Sequence, residues 1–175
     1  KEVVADMCME ANYVLGDDIV NGYHQGLERE ETAVAKEIFE CLIENSEIAK
    51  NEKMPICQDT GMVVVFAELG QDAEIEGGNL VEAINQGVSQ GYKEGYLRKS
   101  VVSDPLNRIN TQDNTPAVIH TNIVPGDKLK LTVAPKGFGS ENMSQIKMLK
   151  PADGVEGVKE FVIKVIEEAG SNPCP

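Results

Sequence analysis

The run Met62-Val63-Val64-Val65-Phe66-Ala67-Glu68-Leu69 constrains the fold of this chain more than any other stretch. It is rich in valine and bounded by Gly61 and Gly70. Branched and aromatic side chains suit a pleated surface, and the flanking glycines punctuate the run, so the sequence predicts a buried strand over 62–69. Two further strands are predicted later. Pro116 to Val124 reads as one, Pro125-Gly126-Asp127 as a turn, and Lys128 to Ala134 as an alternating partner, an arrangement that predicts a hairpin.

The remaining periodic segments have helical spacing. Val3, Val4, Met7, Cys8, Ala11, Val14 and Leu15 form an apolar stripe ending near Gly16. Asp17 and Asp18 are placed to cap a second helix through about Leu27, and 30–50 reads as a third with Val34, Ile38, Cys41, Leu42 and Ala49 on one side. Asn79 is placed to cap a fourth helix carrying Leu80, Val81, Ile84, Val88 and Tyr92 and running toward Leu97 and Arg98. Its glycines Gly87, Gly91 and Gly95 recur every four residues, which points to close helix packing. Val155 to Ala169 is a final amphipathic helix stopped by Gly170, and 100–115 is a structured polar loop. The expected class is α+β, a helical N-terminal part followed by mixed strands and helices, with residues 1–175 as one compact domain.

Composition narrows the function. A formal charge of -13 and a pI near 4.6 argue against a nucleic-acid surface, leaving small molecules or other subunits as partners. No apolar run is long enough to span a bilayer and no signal-peptide pattern opens the chain, so a cytoplasmic location is expected. Four cysteines are too sparse for a disulfide scaffold. Cys8 and Cys41 belong to apolar stripes and are expected to fill core. Cys57 and Cys174 lie beside prolines, outside those stripes, and read either as metal ligands or as unpaired loop thiols.

Cys57 stands in Met54-Pro55-Ile56-Cys57-Gln58-Asp59-Thr60-Gly61-Met62. Pro55 prevents a helix from continuing and Gly61 permits a sharp turn, so the thiol sits on a loop beside an amide and a carboxylate. Asp59 is either a turn cap or a proton carrier. Arg98, near a helix end, reads as a solvated arginine or as a partner for a carboxylate. Lys136 to Ser140 is a tight turn or an anion nest, with Gly139 as the contact. His120 is expected to be a hydrogen-bonded structural histidine, and Arg108, Asp113 and Asn114 an internal polar network.

Joined to Arg108-Ile109-Asn110-Thr111-Gln112-Asp113-Asn114-Thr115-Pro116, to Pro135-Lys136-Gly137-Phe138-Gly139-Ser140-Glu141-Asn142 and to the closing Gly170-Ser171-Asn172-Pro173-Cys174-Pro175, this loop completes a recognisable order of unusual stretches. From about Asn12 to the last residue the chain resembles the N-terminal catalytic region of the class I fumarate hydratases and the alpha subunit of L-tartrate dehydratase. Those are iron-sulfur-dependent hydro-lyases. One departure is Phe138, where the family's glycine-rich turn usually has a third glycine.

The resemblance implies that Cys57 and Cys174 are two of three cysteines holding a 4Fe-4S cluster, the third lying beyond Pro175, so that this portion alone is expected to be inactive. It implies that Asp59 is the acid/base group, that Gln58, Asp59, Arg98 and Gly139 contact a small dicarboxylate, and that a beta subunit or C-terminal domain completes the enzyme, with the alpha part as a homodimer. Malate and fumarate are the first expectation for substrate and product, and L-tartrate dehydration is the second. A non-catalytic assembly subunit is the rival from another class.

Overall fold

The computed structural model describes residues 1–170. Its contacts divide the chain into two compact units, one covering Lys1–Lys136 and the other starting at Gly137. The class is α+β.

In the first unit the valine run becomes β1 (Met62–Gly70), the central strand of a three-stranded sheet. It is flanked by β2 (Val118–Val124), which runs parallel to it, and β3 (Leu129–Lys136), which runs antiparallel. The predicted hairpin is therefore corrected: both strands exist, but β1 lies between them. The reason is visible at Gly70. The connection from β2 to β3 passes around the end of β1, where Gly70 N donates to Lys128 O at 2.8 Å, Gln71 N to Val124 O at 2.8 Å and Asp72 N to Gly126 O at 2.9 Å. A side chain at Gly70 would strike the Gly126 carbonyl, so the strand ends in the residue that lets this connection close over it. Three hydrogen bonds, from the last residue of β1 and the two that follow it, replace those that a direct hairpin would make.

Alternation along β1 places Val63, Val65 and Ala67 inward, all buried. They meet Val4 and Cys8 of α1 (Glu2–Tyr13) and Ile84, Val88 and Tyr92 of α4 (Leu80–Glu94), with Ile119, Leu131 and Val133 from the outer strands at the margin. The opposite face is open at Phe66, whose ring stacks on its cross-strand partner His120 at 5.2 Å. His120 is thus an exposed member of a stacked pair rather than the expected hydrogen-bonded structural histidine, because the parallel register sets it directly beside Phe66.

Helix α1 lies on α4 through the glycine face predicted from sequence. Cβ atoms added at Gly87 and Gly91 would lie 2.5 Å from Lys1 O and 2.7 Å from Ala5 O, so these positions carry the close approach of two backbones. Asn79 caps α4 by accepting from Glu82 N at 3.1 Å. The helix stops at Glu94, short of Leu97 and Arg98, for reasons that matter to the site below.

α2 (Asp17–Arg29) and α3 (Ala33–Glu52) pair with each other, Phe39 lying against Gly26. Gly16 caps α2; Asp17 and Asp18 fall in its first turn, where their charge favours the positive end of the helix dipole. Cys41 is exposed, which corrects its expected place in the core. The covered face of α3 is Ala35, Phe39, Leu42, Ser46 and Ala49, one residue round from the stripe of Val34, Ile38 and Cys41. A polar serine within the true contact face disguised it.

The second unit contains two 3₁₀ turns, Ser140–Met143 and Pro151–Asp153, and α5 (Gly154–Ala169). The glycine packing can be tested by denaturant titration. Gly91→Ala is expected to cost about 1–3 kcal/mol, as overpacking does. Gly22→Ala, on α2 with nothing within 4 Å of the added atom, is expected to gain about 0.5–1 kcal/mol.

Candidate functional site

The loop that carries Cys57 is irregular because nothing in it can pair as a strand or helix, and it is held instead by polar contacts from four directions. On its N-terminal side Ile56 N donates to Asn12 O of α1 at 2.9 Å, and Asn45 of α3 donates its amide to Ile56 O at 2.9 Å. The Asn12 side chain is itself fixed, donating to Cys8 O at 2.8 Å in the buried interior. On the C-terminal side the Tyr92 hydroxyl of α4 donates to Thr60 O and approaches Gly61 O at 3.3 Å. Burial pushes the Tyr92 phenol well above its ordinary value, so it remains a donor at any working pH.

The fourth anchor joins this loop to the segment after α4. Thr60 donates its hydroxyl to Arg98 O at 2.9 Å. Asn114, fully buried, accepts from Ser100 N at 2.7 Å and Val101 N at 3.1 Å and donates to Gly61 O at 3.0 Å. A buried amide that satisfies three backbone groups leaves none of them to carry a desolvation cost. The long polar loop is therefore a brace. Asp113 contributes by accepting from Thr115 N at 3.0 Å and Thr115 Oγ1 at 2.8 Å, bonds that hold its carboxyl below the usual range against the opposing effect of partial burial. Arg108 is exposed on the turn and outside the hydrogen bonds of Asn114 and Asp113, which corrects its expected place in that network.

These contacts bring Cys57, Gln58 and Arg98 together. With Pro55, Thr60 and Tyr96 they line one cleft of about 420 Å³. Cys57 and Gln58 lie about 40 residues before Arg98 in the chain, and neither Thr60 nor Tyr96 carries a sequence signal that marks it. Asp59 is half-buried between Gln58 and Thr60, and its Oδ1 accepts from Gly61 N at 2.9 Å, so it does cap the turn. Gly139 lies in the second unit, at the start of a 3₁₀ turn, where its carbonyl accepts from the Asn142 side chain at 3.0 Å. Phe138 there keeps an ordinary backbone, without the left-handed conformation that a glycine would be needed for. Cys174 lies outside the described residues.

The thiols divide by environment. Cys8 is fully buried and its pKa is pushed up to about 12 by burial, so it stays protonated and inert, as its apolar stripe implied. Cys57 is free and exposed at the cleft, on a backbone not committed to a ladder. Among the described residues no three His, Cys, Asp or Glu side chains gather in a way that could hold a metal ion, and no helix is long and apolar enough to cross a membrane.

The Cys57 loop, pinned by polar contacts to helices and a sheet, thus shares its cleft with an amide and a guanidinium in an α+β fold. The family model for fumarate hydratase (Fumerase) matches residues 1–175, and the chain belongs to that family. It is 37% identical over 182 residues to a putative L(+)-tartrate dehydratase subunit alpha of Methanocaldococcus jannaschii, covering 99% of this chain and 63% of that protein. It is 29% identical over 178 residues to the L(+)-tartrate dehydratase subunit alpha of Escherichia coli, covering 99% and 58%. The chain thus spans about six-tenths of the length of these curated relatives.

Two measurements check the division of the thiols. In the native, cluster-free protein iodoacetamide is expected to alkylate Cys41 and Cys57 and to spare Cys8 until the chain is unfolded, as read by peptide mass spectrometry. The raised Cys8 pKa also carries a sign. Its contribution to stability is complete below 9.0, the value of an unburied thiol, and is lost as pH rises toward about 12, so the melting temperature is expected to fall through that window. The fall should be shallower in Cys8→Ala.

Proposed function

We propose that this chain is the catalytic N-terminal part of an iron-sulfur hydro-lyase that reversibly dehydrates a 2-hydroxy dicarboxylate, malate to fumarate in the first instance. The observation that carries the reading is the meeting of Cys57, Gln58 and Arg98 in one cleft. A dicarboxylate needs a cation for at least one end, and a guanidinium offers paired donors of matching geometry. Gln58 can donate an amide hydrogen bond to the same ligand without adding charge. Gly139 would complete the substrate contacts in the assembled enzyme.

Cys57 and Cys174 would hold a 4Fe-4S cluster together with a third cysteine supplied from outside this chain. When bound, such a cluster with one open iron supplies a Lewis acid that eases departure of hydroxide. Dehydration also requires a proton to leave the neighbouring carbon, and its C–H electron pair becomes the second bond of the alkene as hydroxide departs. Asp59, adjacent to Gln58 and accepting from Gly61 N, is the carboxylate to which we assign the removal of that proton and, in hydration, its return. Capping the turn and carrying the proton are compatible, since a carboxylate has two oxygens.

L-tartrate is the second reading, and the names of the two relatives favour it. Those names also designate alpha subunits, which supports a beta subunit, or an equivalent C-terminal domain, as the partner; a homodimer of the alpha part completes the proposed assembly. The test is anaerobic reconstitution of the complete protein with turnover measured on malate and on D- and L-tartrate. A complete protein that folds, takes up no cluster and turns over none of the three would leave the non-catalytic assembly subunit standing. Cys57→Ser is expected to abolish cluster content in the reconstituted protein. Asp59→Asn should keep the cluster and the turn while kcat falls by roughly a hundredfold or more. Near-normal turnover at full iron content would reduce Asp59 to its capping role.

A further inference from the structure

Tyr96 combines a left-handed backbone, an exposed side chain and a place at the cleft. It follows Gly95 at the end of α4 and has φ 51°, a left-handed conformation that bulky residues rarely adopt. The surrounding hydrogen bonds explain why the backbone is held there: Leu97 N donates to Tyr92 O at 3.1 Å and Tyr96 N to Lys93 O at 3.4 Å, the paired bonds of a helix-ending turn that usually places glycine at this position. Glycine is already spent one residue earlier, where a side chain at Gly95 would strike the Tyr13 hydroxyl and Met9, and where Tyr13 donates to Gly95 O at 3.0 Å. The turn is thus fixed, and a tyrosine occupies its unfavourable corner.

The side chain gains nothing in packing to offset this. Tyr96 is 92% exposed, and its hydroxyl has no hydrogen-bond partner among the described residues. Yet Tyr96 lines the cleft that holds Cys57, Gln58 and Arg98, two residues before that arginine, and stands between it and a second cleft lined by Tyr13, Lys50 and Lys53. A strained, exposed aromatic residue at the mouth of a polar cleft is better explained by what enters the cleft than by what holds the fold.

We propose that Tyr96 is a substrate-contacting residue, its phenol donating a hydrogen bond to the dicarboxylate that Arg98 holds; this rests on the reading of the cleft as a dicarboxylate site. Replacing Tyr96 by glycine would relieve the backbone while removing the donor. Stability and binding should therefore move in opposite directions, which a purely structural tyrosine would not produce.

The experiment uses the complete, cluster-loaded protein and its Tyr96→Phe and Tyr96→Gly variants. Melting temperature, the Kd of succinate, which lacks the hydroxyl needed for dehydration, and KM and kcat on malate and L-tartrate are measured. Tyr96→Gly is expected to melt about 2 °C higher or more and to bind succinate about tenfold more weakly. Tyr96→Phe should melt with the wild type and show most of the same loss in Kd, with KM rising more than kcat falls. Unchanged succinate binding and KM in Tyr96→Phe would overturn the proposal, as would a lower melting temperature in Tyr96→Gly, which would assign the ring a structural task. A wild-type protein that neither binds succinate nor dehydrates either substrate removes the dicarboxylate reading itself, and this proposal with it. Wild-type binding with an unaffected Tyr96→Phe removes only the proposal.

Discussion

The close seating of α4 on α1 is the contact on which the site depends. Gly87 and Gly91 let the α1 backbone approach to the distance of a missing side chain, and this brings Cys8, Val88 and Tyr92 into one core with Val63 and Val65. Tyr92 is the link from packing to site. Its ring belongs to that core, while its hydroxyl reaches Thr60 O and Gly61 O, the carbonyls at the far side of the Cys57 loop. A larger residue at Gly91 would therefore disturb more than helix packing.

A second layer of control is polar. The loop is short and without regular hydrogen bonding, so its position is set by side chains that reach it from elsewhere, Asn45 to Ile56 O and Asn114 to Gly61 O, and by its own Thr60, which donates to Arg98 O. Each bond is modest in net free energy, but a donor or acceptor left unpaired in the interior costs more than the bond contributes, and this asymmetry makes the arrangement single-valued. Asn114 is the clearest case, since it satisfies two amides of the segment after Arg98 and one carbonyl of the Cys57 loop. The stretches that carry the arginine and the thiol are joined by the same buried amide.

Much of this was legible in the residues. Four apolar stripes marked helices where helices stand, the valine run became the central strand, and the four-residue glycine spacing correctly implied a close helix contact. Cys57, Gln58 and Arg98 were each singled out before any geometry was known. The misreadings have definite causes. The hairpin was inferred from adjacency in sequence, whereas β1, apolar along most of its length, takes the place between the two later strands. Cys41 was assigned to a stripe of apolar residues, whereas the covered face of α3 includes Ser46, a polar residue that periodicity counts as outward.

Local chemistry, then, was determined by the sequence itself: where the chain must turn, which faces are apolar, and which side chains can ligate, donate or carry a proton. Those properties follow from single residues and their near neighbours, and they need no partner across the fold. Tertiary structure alone decided which of these groups share a cleft, that Tyr92, Thr60 and Asn114 brace it, and that Tyr96 stands in it on a strained backbone. The physical reason is that hydrogen bonds between residues 32, 38 and 53 positions apart leave no periodic trace in a sequence. Strain is equally silent there, because a tyrosine in a left-handed turn is spelled like any other.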